Sequence, residues 1–338
     1  MSSFVAETTS LEERKRKEAD LRKQLQGKTA VQLYFDTKRP WVIVPNGSLM
    51  GYFDWVPEKL RVGPWSPFTS AYIVILCGMV AYLHPSNLLS DEQPYRTTIL
   101  HTYPELFSKM WFYNASAFLW MSIPLYRITR PSGRGGGGFF VMCTYTVQSW
   151  TMLLLRHFLT ALAPLLPERH WLLRMNESLR FPALLSATVT FVVWNFLLAP
   201  FMCIFAMKTP TKRRNFVRWN FSFNLMQIHL FNIIFAICNT VLSVYEEQPS
   251  VNRTHKLMKF DQGDLWLSLI FTLAYVLFYL LVLDRFGVHL YPIFSPRSNW
   301  FVITSTMVLA LIFATYEGWN RCIENSTFLS WAVGFLTA

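Results

Sequence analysis

LWLSLIFTLAYVLFYLLVL, from Leu265 to Leu283, carries no charged side chain. A helix of about 20 such residues spans the roughly 30 Å hydrocarbon core of a bilayer. The rest of the 338-residue chain has the same character: 52% of its residues are hydrophobic and 15% are charged, whereas a soluble domain averages about 25% charged. Working outward, comparable apolar runs occupy 66–83, 107–126, 139–162, 181–207, 216–244, 264–284 and 299–317. They predict an all-α, polytopic transmembrane helix bundle of about seven spans. The run at 107–126 is the most interrupted, by Lys109 and Asn114. The C-terminal TFLSWAVGFLTA is too short to cross and is expected at the interface or against the bundle.

Basic residues set the expected orientation. They crowd the N-terminal arm (RKRKEADLRK), the loop with Arg127, Arg130 and Arg134, and the loop from Lys208 to Arg218. The opposite loops mix Arg and Lys with Glu246, Glu247 and Asp261. This places the N-terminus in the cytosol. The sequons at Asn176, Asn252 and Asn325 then fall on the other side. Residues 1–65 read as a basic cytosolic or interfacial arm: a charged helix over 1–30, then an aromatic, proline-punctuated stretch suited to the headgroup region. Residues 66–338 read as the transmembrane domain. The acidic residues among the first 20 argue against a mitochondrial leader, so entry into the endoplasmic reticulum through the first span is expected.

The net charge of +11 fits positive-inside bias and anionic lipid heads better than nucleic acid. The five cysteines are scattered, with neither disulfide nor zinc spacing. GRGGGG at 133–138 lacks a preceding strand and a following Lys-Ser/Thr, so it reads as a linker, not a phosphate cradle. The expected partners are membrane lipids and a lipid ester, with no nucleic acid, cofactor or metal.

Polar side chains inside such runs are costly and must face protein, water or ligand. CTYTVQSWTMLLLRH (Cys143–His157) has two polar arcs: Thr144, Gln148 and Thr151 on one, and Thr146, Ser149, His157 and Thr160 on the other. Arg156 is expected to snorkel to the interface. In the run at 216–244, Asn220, Asn224 and Gln227 form a stripe, with Ser222, His229, Asn232 and Asn239 on a broader arc. Thr144 and Thr146 lie at a depth similar to that of His229. A hydroxyl becomes a nucleophile when a neighbouring imidazole takes its proton. Either threonine with His229 as base would therefore suit attack on a lipid ester, with Gln148 or Asn232 binding the oxyanion. Cys143 is a rival nucleophile. Beyond the run at 264–284, Gly287, Pro292 and Pro296 predict a broken segment tucking back toward the bundle, with His289 interfacial.

The order of CTYTVQ, LRFPALLSATVTFVVWNFLLAP, HLFN and AYVLFYLL…GVHLYPIF over about 139–317 resembles the androgen-induced protein family. These are membrane hydrolases of fatty acid esters of hydroxy fatty acids that use an intramembrane threonine and histidine. The resemblance implies that His229 is the base and that Thr144, with Thr146 close behind, is the nucleophile. Asn239 stands where the family would carry an acidic residue. Residues 1–138 have no counterpart in it. The alternative is a non-catalytic lipid-binding or structural subunit of a membrane complex. A receptor is disfavoured by the expected orientation, and a transporter by the lack of midplane charges and matched broken helices.

Overall fold

The computed structural model describes residues 20, 23, 27–28, 30–37, 41–43, 49–51, 58–60, 62–85, 105–129, 138–167, 170–207, 209–242, 245–247, 255–257, 259–286, 288 and 290–325. Most of the charged arm, most of the glycine run, His289, Asn252 and the C-terminal stretch lie outside them. The described chain is helical apart from two short antiparallel hairpins, β1 (Trp41–Ile43) with β2 (Leu49–Gly51) and β3 (Tyr245–Glu247) with β4 (His255–Leu257).

In chain order the helices are α1 (Ala30–Thr37), α2 (Pro67–Tyr82), α3 (Lys109–Thr129), α4 (Tyr145–Leu162), α5 (Trp171–Ser178) and α6 (Arg180–Val192). There follow α7 (Ala199–Phe201), α8 (Pro210–Asn220), α9 (Phe223–Met226), α10 (Asn232–Ile237), α11 (Gln262–Phe278) and α12 (Trp300–Asn325). Turns of π-helix at Val193–Leu198 and Met202–Ala206 continue α6 through α7. Others at Gln227–Phe231 and Cys238–Leu242 fuse α9 and α10 into one rod, and Tyr279–Leu283 extends α11. Each of the seven apolar runs is thus helical. Four of the resulting helices are long and apolar enough to cross a membrane: Trp171–Ile204, Phe223–Thr240, Gln262–Leu283 and Trp300–Asn325. The outward faces carry Val74, Phe196 and Trp300, each more than 60% exposed. That is what a lipid solvent permits and water does not. The chain is a helical membrane protein.

The centre is α6. Every residue from Arg180 to Ala187 is buried, as expected for a helix with no polar face. Pro182 is accommodated because it falls in the first turn, where no intrahelical donor is lost. Ala183, Ser186 and Ala187 are small enough to let α4, α10 and α11 approach. Trp150 of α4 anchors α3 by donating its indole N–H to the Met121 carbonyl at 3.0 Å.

Successive rods run in opposite directions. At one end of the bundle Asn114, early in α3, meets His157, late in α4, at 2.9 Å. It also meets Asn239, at the end of the α9–α10 rod, at 2.6 Å. Phe260, just before α11, donates to Asn320 near the end of α12 at 2.8 Å. At the other end Ser66, before α2, donates from its backbone N–H to the Pro296 carbonyl at 2.9 Å.

The segment after α11 does tuck back. Asp284 is buried, pairs with Arg297 through both carboxylate oxygens at 2.5 and 3.1 Å, and accepts the Trp65 indole N–H at 3.0 Å. Ser295 donates to the Leu60 carbonyl at 2.6 Å. A bidentate, hydrogen-bonded pair can sit in a low-dielectric site because the remaining lone pairs are filled. This latch fixes the loop carrying Tyr291.

One expectation is corrected. Arg156 does not snorkel: it is 0% exposed, because amides on neighbouring helices supply inside the bundle the acceptors that water would supply at the interface. Asn176 of the first of the three sequons is buried in the folded chain, and its amide donates to Thr160 at 3.2 Å.

Candidate functional site

Thr144 and Thr146 are separated by the start of α4. A short 3₁₀ turn, Gly138–Cys143, leads into the helix, and Thr144 occupies its N-cap with φ −77° and ψ 141°. The Thr144 hydroxyl accepts from the Val147 N–H at 3.3 Å and donates to the Val141 carbonyl at 2.8 Å. Both functions of that hydroxyl are therefore committed to closing the helix end. Replacing Thr144 with alanine is expected to cost about 1 kcal/mol of stability, measured as a drop in thermal midpoint in detergent.

Thr146 lies two residues further, inside the helix, and lines a partly open apolar pocket whose outline holds about 710 Å³ of non-atom space, open surroundings included. Its walls come from the start of α4, from α6 and its π extension, from α11 and from α12. They are almost wholly hydrocarbon and aromatic, interrupted by the hydroxyls of Thr146, Thr190 and Thr272 and by four tyrosines. A second apolar space of about 430 Å³ adjoins it and shares Thr272, Val276, Phe294 and Val308. Both lie beside α11 and α12.

The tyrosines are tied to one another and to the start of α4. The Tyr145 N–H donates to the Tyr291 hydroxyl at 3.2 Å, which places that hydroxyl at the first turn of α4, beside Thr146 on the same pocket wall. Tyr279 donates to the Tyr291 carbonyl at 3.1 Å and receives the Tyr291 N–H at 3.2 Å. Tyr275 donates to the Cys143 carbonyl at 3.2 Å. Cys143 itself is half-buried and lies against the core that holds these tyrosines.

His229 is buried within the π turn Gln227–Phe231. A π turn leaves a backbone carbonyl without its usual helical donor, and such turns recur at functional sites. Here Asn195 supplies the donor, reaching the His229 carbonyl at 2.8 Å. The imidazole stacks on the Trp194 indole with 4.0 Å between ring centroids and 9° between planes. Trp194 is pinned in turn by donating its N–H to Asn220 at 2.7 Å. Trp194 lines the cavity and His229 does not, so one indole separates the imidazole from the space that Thr146 faces. Among the described residues no hydrogen bond joins Thr144 or Thr146 to His229. Of the proposed oxyanion donors, Gln148 is not part of the cavity wall, and Asn232 donates to the Ala187 carbonyl at 3.3 Å.

The rods bearing the threonines and His229 touch along their length, at the Gln227–Phe231 turn and beyond it. Trp150 and His157 of α4 meet Phe235 edge to face, at 6.0 and 6.1 Å between centroids. Arg156 donates through Nε to Asn239 at 2.6 Å and through Nη1 to the Asn176 carbonyl at 2.5 Å. Asn239 also lies 3.4 Å from both His157 and Thr160. The inner arc read on α4 is real: Thr146 faces the cavity, Ser149 donates to Ser186 at 3.1 Å, and His157 and Thr160 join the distal network. Thr151, on the outer arc, donates to the carbonyl one turn back.

Sequence reasoning noted Tyr291 only as part of the GVHLYPIF motif and gave no role to it or to Trp194. A tyrosine beside a proline, beyond a broken helix, was a usable signal for the first. A tryptophan within an apolar run gave none for the second.

Fold and site define a helical membrane protein with a partly open apolar pocket bordered by a threonine and a tyrosine cluster. No family model, no curated protein and no solved structure matches the chain. Among the described residues no cluster of His, Cys, Asp and Glu could hold a metal ion.

Proposed function

We propose that this protein is an intramembrane hydrolase of lipid esters, with Thr146 as nucleophile and His229 as base. The observation that carries the proposal is the placement of Thr146: a hydroxyl in the wall of an apolar cavity inside a membrane bundle. Such a cavity suits a long acyl chain, and the hydroxyl would meet the ester group at the chain's head. In the reaction Thr146 Oγ bonds to the ester carbon while its proton passes to the imidazole. The leaving alkoxide then takes that proton, and water hydrolyses the acyl-threonine to free acid. His229 reaches the site only if the Trp194 indole swings aside, so the resting arrangement is a shielded one. The resemblance to the androgen-induced protein family supports His229 as base and a threonine at the start of α4 as nucleophile, although it ranks Thr144 ahead of Thr146. The wider reading includes seven spans, a cytosolic N-terminus and residence in the endoplasmic reticulum. The alternation of rod directions supports an odd number of crossings if all seven helices span.

A second reading is a non-catalytic lipid-binding subunit. It is favoured by the Trp194–His229 stack, which keeps base and hydroxyl apart. Turnover of a fluorogenic long-chain ester, together with photocrosslinking by a diazirine fatty acid, separates the two. The hydrolase reading expects His229→Ala to lose turnover by about 10²- to 10⁴-fold while the cavity still crosslinks. Crosslinking without any turnover by the wild-type protein leaves the binding reading alone.

A further inference from the structure

The geometry points to Tyr291 as a catalytic residue of this site: the phenol that donates a hydrogen bond to the ester carbonyl oxygen as Thr146 attacks. The inference rests on the hydrolase reading and goes beyond it, since neither Thr146 nor His229 can serve as that donor while acting as nucleophile and base.

Three observations converge on it. The Tyr291 hydroxyl is bonded to the backbone of Tyr145, the residue before Thr146, and shares the same pocket wall, so it sits beside the residue that would form the new bond. It also borders the cavity, where the carbonyl must arrive. The Tyr145 N–H, donating at 3.2 Å, holds the phenol oxygen as an acceptor, so the O–H remains a donor that substrate can compete for. The first turn of α4 adds a partial positive charge at the same point, where negative charge would develop. The donors suggested by the sequence are otherwise engaged or outside the cavity wall: Asn232 is bonded to α6, and Gln148 is not a wall residue. The position is rigid, because Tyr279 binds both backbone polar groups of Tyr291 and the Asp284–Arg297 pair closes the loop around it. Preorganised donors of this kind contribute most in a water-poor cavity.

In the step itself, Thr146 Oγ bonds to the carbonyl carbon and the carbonyl π pair moves onto oxygen. The Tyr291 O–H then hydrogen-bonds that oxyanion without surrendering its proton. Collapse returns the pair and expels the alkoxide, which takes the proton held by His229. No oxidant, reductant or further reactant is needed.

The test uses the full-length protein in nanodiscs with 4-methylumbelliferyl oleate as probe. Tyr291→Phe is expected to lower kcat by about 10²-fold or more, with KM within about threefold and the thermal midpoint nearly unchanged. Should that variant fold poorly, a fluorinated tyrosine placed at 291 keeps the shape and makes the phenol a stronger donor. It is then expected to raise kcat at pH values below its own pKa. A Tyr291→Phe or fluorotyrosine protein whose kcat stays within threefold of wild type, while Thr146→Val is inactive, overturns the role of Tyr291 alone. Normal turnover by Thr146→Val overturns this role and the hydrolase reading together.

Discussion

A Thr146→Val protein is expected to lose ester turnover by on the order of 10⁴-fold, down to background, since valine keeps the volume and branching of threonine but has no nucleophile. Thr146→Ser is expected to retain turnover within about tenfold, because the hydroxyl survives. Thr144→Ala should hydrolyse ester at close to the wild-type rate despite its lower stability, because both bonds of that hydroxyl serve the helix end. The three variants separate chemistry from packing. A cavity wall that merely needs bulk would tolerate valine, and a merely structural hydroxyl would reveal itself through the thermal midpoint. Equal activity in Thr146→Val and wild type, in a steady-state assay, would remove the nucleophile.

The second large effect is expected at the opposite end of the bundle. Asn239→Leu should destabilise the protein by about 3 kcal/mol. Neutral hydrogen bonds between membrane helices average only about 0.6 kcal/mol, so the guanidinium decides the size. Asn239 accepts from Arg156 Nε at 2.6 Å and donates to Asn114 at 2.6 Å. Leucine would remove both bonds from groups that are 0% exposed. A buried charge that loses such a partner costs more than a neutral amide does. In a chain of this size the loss corresponds to roughly a 4 °C fall in thermal midpoint. Asn239→Asp should instead hold or raise the midpoint, because it sets a carboxylate against Arg156. A shift under about 2 °C for Asn239→Leu would mean that Arg156 is adequately held by its other partners.

Where the sequence could be read and where it could not follows from what each signal measures. Hydropathy reports the solvent around a helix, so the seven runs emerged as helices with ends displaced by only a few residues for most. The longer last helix and the separate α8 are exceptions: both are amphipathic or charged extensions that hydropathy discounts. The broken segment after Leu283 was legible from its proline and glycine.

The arcs on α4 were also legible, because α4 is a regular helix. Those at 216–244 were not. Two π turns lie between Gln227 and Leu242, and each adds about one residue to its turn. A projection at 100° per residue therefore slips out of phase. Asn232 accordingly meets α6, and Asn239 meets Arg156, rather than both facing His229's side of the cavity.

The choice between threonines depended on where α4 starts, which is set by the 3₁₀ turn and its cap and not by any hydrophobic period. The burial of Arg156 depended on amide oxygens from two separate segments, at Asn176 and Asn239, a coincidence that no single stretch of sequence displays.

The most direct measurement is the site of covalent capture. The protein in nanodiscs is treated with a long-chain fluorophosphonate, digested, and sequenced by mass spectrometry. The account expects the adduct on Thr146, greatly slowed in His229→Ala. An adduct on Thr144 or Cys143, or none at all in a protein that hydrolyses the ester, contradicts it.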